Sequence, residues 1–166
     1  MPFASSILVA TDLSPASYAA LVEAARIASL CEAARPAEPS PRVTLLHVFD
    51  VAPFRQLPRD ATVSESTLRR ISEEANGAAH SVLLGLRARF FQGRKDIEVA
   101  IIEHDGAAAG ICALASQRGN DLIVMASHGR SGRSSAVHGS VTAAVVRAAP
   151  CRVLVVPSED PERHAH

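Results

Sequence analysis

The sequence predicts an α/β fold, a single doubly wound parallel sheet of five strands with helices on both faces. Three observations predict it. Five short apolar runs rich in β-branched residues recur along the 166 residues, most without strict polar alternation, as expected for strands buried on both sides. Longer stretches with apolar residues at steps of three and four lie between them. The two kinds alternate as β-α-β-α-β-α-β-α-β, the order of right-handed crossovers in a parallel sheet.

The first strand is predicted at Ile7-Leu8-Val9-Ala10. Ser14-Pro15 then supplies an N-cap and a proline at the first helical position, opening a helix with the stripe Leu21, Ala24, Ala25, Ala28 and Cys31. Residues 34–42 carry Pro36, Pro39 and Pro41 and read as a loop. Val43 to Val48 forms the second strand, and residues 50–60, without a clear period, a second loop. The next helix places Leu68, Ile71, Ala75, Ala79, Val82, Leu86 and Phe90 on one face. Thr62 and Glu65 are expected as its capping box and Gly93 as its stop. Ile97–Ile102 is the third strand, followed by a helix from about Ala107 to Gln117 ending near Gly119. Leu122–Met125 is the fourth strand. The last helix carries Val137, Val141, Ala144, Val145 and Ala148 and stops at Pro150, before the final strand Val153–Val156. Residues 1–157 are expected as one domain and 158–166 as a flexible tail.

Composition narrows the function. At 48% hydrophobic and 20% charged, the chain can bury a substantial core. Lys plus Arg equals Asp plus Glu at 17 each, and aromatics are 4% with no Trp. That leaves neither a basic footprint nor a stacking platform, so no nucleic-acid partner is expected. No apolar stretch reaches the roughly 20 residues that span a bilayer, and the N-terminus lacks a signal-peptide pattern. A soluble, cytoplasmic protein is expected. Cys31, Cys112 and Cys151 have no metal or redox spacing and read as small buried hydrophobes.

Ligands of a doubly wound sheet bind beyond the carboxyl ends of the strands, where strand order reverses. With strands one and four as neighbours across that point (order 3-2-1-4-5), two loops share one crevice. Thr11-Asp12 follows the first strand. Ala126-Ser127-His128-Gly129-Arg130-Ser131-Gly132 follows the fourth. The loop glycines let backbone N–H groups approach an anion and adopt conformations closed to other residues. Gly139-Ser140 sits near a helix start that favours negative charge, with Arg130 and Arg133 as countercharge. The sequence has no GxxxxGK[ST], no GxGxxG after the first strand and no GxSxG.

These residues resemble the universal stress proteins. ATP-binding members of that family carry G-x2-G-x9-G-[ST] after the fourth strand, matched here by Ala126-x2-Gly129-x9-Gly139-Ser140 with alanine for the first glycine. The likeness extends to ILVATDLS at 7–14, LLHV at 45–48, LIVMASHG at 122–129 and PCRVLVV at 150–156, covering nearly the whole chain. It implies an adenine nucleotide, ATP or else AMP or ADP, with Mg²⁺ held through the phosphates. Asp12 matches the acid that contacts the nucleotide and helps hold the metal, with Ala10 and Thr11 beside it. Val48 matches a residue of the adenine pocket, and Met125 and Ala126 match positions beside ribose and base. Gly129, Gly139, Ser140 and Val141 match the phosphate-binding groups, with Arg130 near the phosphates and Gly132 in the same loop. A homodimer through the last strand, Arg152 to Val156, is also implied and would cover a sheet edge, along with a protein partner of unknown identity.

Five positions depart from the family. Ala126 adds a methyl, Arg133 and His138 replace leucine, and Asp105-Gly106-Ala107 replaces Gly-x-Pro. Asp105 is expected near the crevice, either repelling a triphosphate or capping the third helix. Other residues carry alternatives: Asp12 as a helix cap, His47 as a satisfied strand-end histidine, His128 as a loop-positioning group, and Ser131, Ser134 and Ser135 as phosphoryl acceptors. No catalytic set and no protein metal site is read from the spacing. The leading expectation is a stress-response or signalling protein whose 126–140 loop is ordered by phosphates. The alternatives are a slow ATPase or self-phosphorylating enzyme using the same pocket, and a scaffold that binds no nucleotide.

Overall fold

A computed structural model describes residues 4–51, 64–94, 96–128 and 139–158, with the side chains of Glu65 and Leu68 excepted. Five strands form one parallel sheet: β1 (Ser6–Ala10), β2 (Arg42–Asp50), β3 (Ile97–His104), β4 (Leu122–Ala126) and β5 (Arg152–Val156). Their order is β3-β2-β1-β4-β5, as predicted. β1 is central, pairing Leu8 with Thr44 on one side and with Ile123 on the other. Among the described residues the α-helices are α1 (Tyr18–Ala34), α2 (Glu65–Phe90), α3 (Ala107–Arg118) and α4 (Ser140–Ala148).

Alternation along β1 divides the core into two layers. Ile7 and Val9 face α1 and α2, packing with Leu21, Ala24, Ala28, Leu83 and Leu86. Leu8 and Ala10 face α3 and α4, packing with Ile111, Leu114, Ala115 and Val145. All five β1 residues, the polar Ser6 included, are buried, so exposure marks neither face of the strand. Each fully buried Leu, Ile or Val among them contributes about 1.5–3 kcal/mol.

Several local expectations need correction. Ser14 precedes a 3-10 turn at Pro15–Ser17 and makes no side-chain cap bond; the α-helix begins at Tyr18. The cap of α2 is Ser64, whose hydroxyl accepts from the Thr67 N–H at 3.2 Å. Glu65 is therefore the first helical residue and not part of a capping box, and Thr62 lies outside the described residues. The face of α2 is in part the one expected, since Ala79 and Leu86 are buried and Phe90 packs against the core, but Leu83 is fully buried while Val82 and Ile71 are exposed. Gly93 lies beyond the Phe91 cap with φ 81°. α3 runs to Arg118 and ends on Gly119 in the left-handed conformation. β2 extends through Asp50 into the stretch expected as a loop, and Val137 lies outside the described residues.

Candidate functional site

The carboxyl ends of β1, β2 and β4 open into a cavity of about 250 Å³. It lies where strand order reverses, on the side of the sheet covered by α3 and α4. Nine of the twelve site residues expected from the sequence line it: Ala10, Thr11, Asp12, Val48, Met125, Ala126, Gly139, Ser140 and Val141. Gly129, Arg130 and Gly132 lie outside the described residues, as do Arg133, His138 and the loop serines.

Asp12 stands on a tightly bonded turn. The Thr11 N–H continues the sheet by donating to Leu46 O at 2.9 Å. The Thr11 hydroxyl accepts from the Leu13 N–H at 3.0 Å and lies 2.6 Å from Ser17 Oγ. Ser17 donates to Ser14 O at 2.7 Å, which leaves the proton of the Thr11–Ser17 contact to Thr11. Asp12 Oδ1 accepts from the Ser14 N–H at 3.0 Å and from Ser14 Oγ at 2.6 Å. This Asx turn uses the carboxylate as a cap from within the loop. Leu13 holds φ 68°, the one left-handed non-glycine among the described residues, a conformation that costs about 1–3 kcal/mol and persists only where surrounding bonds fix it.

The opposite wall comes from α4. Its N-cap, Gly139, offers no side chain to the first-turn N–H groups, and Ser140, Val141 and Thr142 of that turn line the cavity. The Gly139 N–H donates to Ser127 O at 2.8 Å, and Thr142 Oγ1 donates to Ala126 O at 3.0 Å, pinning the turn to the end of β4. Gly139 has φ −61° and ψ 155°, which any residue adopts. The expected need for glycine's backbone freedom does not hold here; the missing Cβ, which leaves room for close approach, is what distinguishes the position. α3 also starts at the cavity, with Ala107 and Ile111 lining it and Gly106 as a cap without a side chain. Two helix N-termini thus direct partial positive charge toward the same space.

The base of the cavity is apolar: Ala10, Leu46, Val48, Ile111 and Met125. The sequence reading missed Leu46, Ile111, Ser17, Ala107 and Thr142 as lining residues. The four-residue step from Ala107 to Ile111 would have found that pair, given the position of α3. His47 lines the wall and donates from Nδ1 to Thr11 O at 3.0 Å, the satisfied strand-end histidine expected. His128 lines the wall beside Gly139.

Asp105, expected near the crevice, is exposed and is not among the residues lining the cavity, although Ala107 two residues on is; the N-cap position of α3 is Gly106 with φ 91°. The carboxylate that meets this turn belongs to Asp50, which accepts from the Gly106 N–H at 3.0 Å.

Among the described residues, no three or more His, Cys, Asp or Glu gather to hold a metal. Asp12 is the one carboxylate among the described residues lining the cavity. Mg²⁺ commonly uses one or two carboxylates, several waters and substrate phosphates, so this donor set fits a cation carried by phosphates. No described helix is long and apolar enough to cross a membrane.

A five-stranded doubly wound α/β fold with a cavity at its switch point is the class these features define. Residues 4–157 match the sequence profile of the Universal stress protein family. The universal stress protein MJ0531 of Methanocaldococcus jannaschii is 30% identical over 151 residues, 90% of this chain and 80% of that protein. Universal stress protein Sll1654 of Synechocystis is 40% identical over 81 residues, 48% of this chain and 50% of that protein. The chain belongs to the universal stress protein family. The solved structure of hypothetical protein MJ0577 superposes with a TM-score of 0.77 at 23% identity, covering 95% of this chain and 99% of that one. A universal stress protein in complex with cAMP gives 0.65 at 22% identity, covering 94% and 98%. The Archaeoglobus fulgidus universal stress protein in complex with dAMP gives 0.51 at 18%, covering 93% and 98%.

Proposed function

We propose that this chain is an adenine nucleotide-binding signalling protein of the stress-response type, taking ATP with Mg²⁺ in the cavity at the switch point. The observation that carries the reading is the meeting of an apolar slot, an acidic turn and two uncapped helix N-termini in one cavity. The complexes of related folds with cAMP and dAMP support the adenine assignment.

In this reading the base enters between Val48, Ile111 and Met125, where burial of its faces is favourable. The sugar lies over Ala10 and Ala126. The phosphates meet Gly139, Ser140 and Val141 at the start of α4, where unpaired N–H groups and the helix dipole stabilise anionic oxygens. Gly129, Arg130 and Gly132 join them by sequence spacing, so that phosphates order the 126–140 loop. Asp12 holds Mg²⁺ or its waters, and the ion supplies charge neutralisation. The output is a change in binding to a protein partner, with two copies joined along β5, in the cytoplasm.

The test is calorimetric titration of ATP with Mg²⁺, AMP and cAMP against the wild type and Gly139→Val. Position 139 has an extended backbone, and a Cβ there would meet Ser127 O at 3.5 Å and His128 Cα at 3.8 Å, both ordinary contacts. The variant should fold and lose affinity by at least tenfold. Absence of heat from the folded wild type with all three nucleotides refutes the reading.

A further inference from the structure

Ser17 stands at the N-cap position of α1 without capping it. Serine is favoured there because its oxygen accepts from an N–H of the first helical turn, yet the Ser17 side chain makes no such bond. Its hydroxyl serves the loop after β1 instead. It donates to Ser14 O at 2.7 Å, beside the Ser17 N–H, which donates to the same carbonyl at 3.0 Å. The oxygen is then left to accept from the Thr11 hydroxyl at 2.6 Å. Thr11 and Ser17 are 6% and 3% exposed, so water competes poorly for these bonds.

These bonds close over the turn that carries Asp12. Thr11 receives the Leu13 N–H on its hydroxyl oxygen at 3.0 Å, and Ser14 gives its N–H and its hydroxyl to Asp12 Oδ1 at 3.0 and 2.6 Å. Ser17 Oγ links Thr11 to Ser14. The protons of the link are fixed, because a carbonyl only accepts: Ser14 O takes the proton of Ser17, and Ser17 Oγ takes that of Thr11. Held in this way, the Thr11 oxygen faces the Leu13 N–H, and Leu13 keeps φ 68°, a conformation that surrounding bonds must maintain. Without Ser17 Oγ, the buried Thr11 hydroxyl has a proton with no acceptor. It rotates to satisfy that proton, and the Leu13 N–H loses its partner.

We propose that Ser17 is a positioning residue for the cavity, holding the Asp12 turn in place for a cation carried by phosphates. The inference rests on the nucleotide reading for the cation, and on the bonds of the turn for the positioning. Ser17 belongs to the cavity wall, but both of its donors are committed to Ser14. It therefore acts through Asp12. An acid already fixed in the free protein meets the cation without the loss of freedom that a mobile carboxylate incurs on binding.

The test reads the turn and the ligand separately. On the ¹⁵N-labelled full chain without nucleotide, amide hydrogen exchange should find Leu13 protected in the wild type and about tenfold less protected in Ser17→Ala. Thr11→Val removes the acceptor itself and sets the rate of a Leu13 amide without its partner. Calorimetric titration of ATP with Mg²⁺, and again with EDTA, then isolates the cation. Ser17→Ala should bind about tenfold more weakly with Mg²⁺, the scale of one or two lost hydrogen bonds, and within about twofold of wild type with EDTA. Unchanged Leu13 exchange in Ser17→Ala overturns the proposal. So does unchanged affinity with Mg²⁺, or equal weakening with and without it, because a general loosening of the cavity acts on both. If Ser17→Ala does not fold, Thr11→Val carries the same Mg²⁺ comparison, since it breaks the Thr11–Ser17 bond from the other end. If the wild type binds no nucleotide, the exchange rates still decide whether Ser17 holds the turn, and only the nucleotide reading falls.

Discussion

Gly110 sits one turn into α3, against Val48 of β2 and His104 of β3. A Cβ built on it would meet Val48 Cγ1 and His104 Cβ at 2.9 Å, and His104 Cγ at 3.2 Å. One obstacle is a Cβ, fixed to the backbone, so the strand or the helix must move. Such overpacking costs about 1–3 kcal/mol, while alanine in a helix interior returns about 1 kcal/mol over glycine. Gly110→Ala should therefore lose about 1 kcal/mol net. Gly85, in α2, is the matched control, because a Cβ there meets nothing within 4 Å and its residue is exposed. Gly85→Ala should keep the full helix gain of about 1 kcal/mol. For a chain of this length 1 kcal/mol moves the midpoint by about 2–4 °C, so the two variants should separate by about 4–8 °C with opposite signs. Thermal unfolding followed by circular dichroism, supported by urea titrations with an unchanged slope, reads the difference. A Gly110→Ala protein as stable as Gly85→Ala would refute the argument that close helix–strand approach requires glycine there.

Two further outcomes are expected. Burial raises the thiol pKa of Cys112, and burial followed by the charges of Asp121 and Cys112 raises that of Cys151. A folded-state pKa above the unfolded value of about 9 leaves stability intact below that pH and erodes it as the pH climbs past it. Urea midpoints at pH 8 and pH 10 should therefore fall more for the wild type than for Cys112→Ala/Cys151→Ala, and parallel falls would exclude the thiols as the cause. Asp12→Asn keeps an oxygen for the Ser14 N–H and hydroxyl but removes the charge. It should melt within about 2 °C of wild type, since surface changes of this kind stay within about 0.5 kcal/mol. The Mg²⁺ dependence of ATP affinity should disappear in calorimetry, and its persistence would remove Asp12 from the cation.

The order and kind of the main elements were legible because all the strands read as short apolar runs and the intervening helices as longer periodic ones. Ile7-Leu8-Val9-Ala10 is a strand buried on both faces, and nothing else fits so short an apolar run before Ser14-Pro15. Among the nine described site residues, Thr11, Asp12, Gly139 and Ser140 were legible through their places after the first and fourth strands, whereas Ala10, Val48, Met125, Ala126 and Val141 came from the resemblance to the universal stress proteins. Local propensity and the 3.6 period sufficed there, because a strand end and a helix start are marked by the residues themselves.

What the sequence could not settle were choices between neighbours in the chain that only a packing partner distinguishes. Val82 and Leu83 are equally apolar and 100° apart on α2, and the position of the sheet buried Leu83 and exposed Val82. Asp105 and Asp50 both lie near the start of α3, yet the parallel register of β2 with β3, which sets Asp50 opposite His104, gave the Gly106 N–H to Asp50. Ser158 looked like the first residue of a loose tail until β5 brought it beside Ser127 and His128. By itself the sequence determined the elements, their class and the two loops of the cavity, since these follow from local pattern. Tertiary structure alone decided which side chain of each near-equivalent pair is buried, bonded or aimed at the cavity, because that depends on residues distant in the chain.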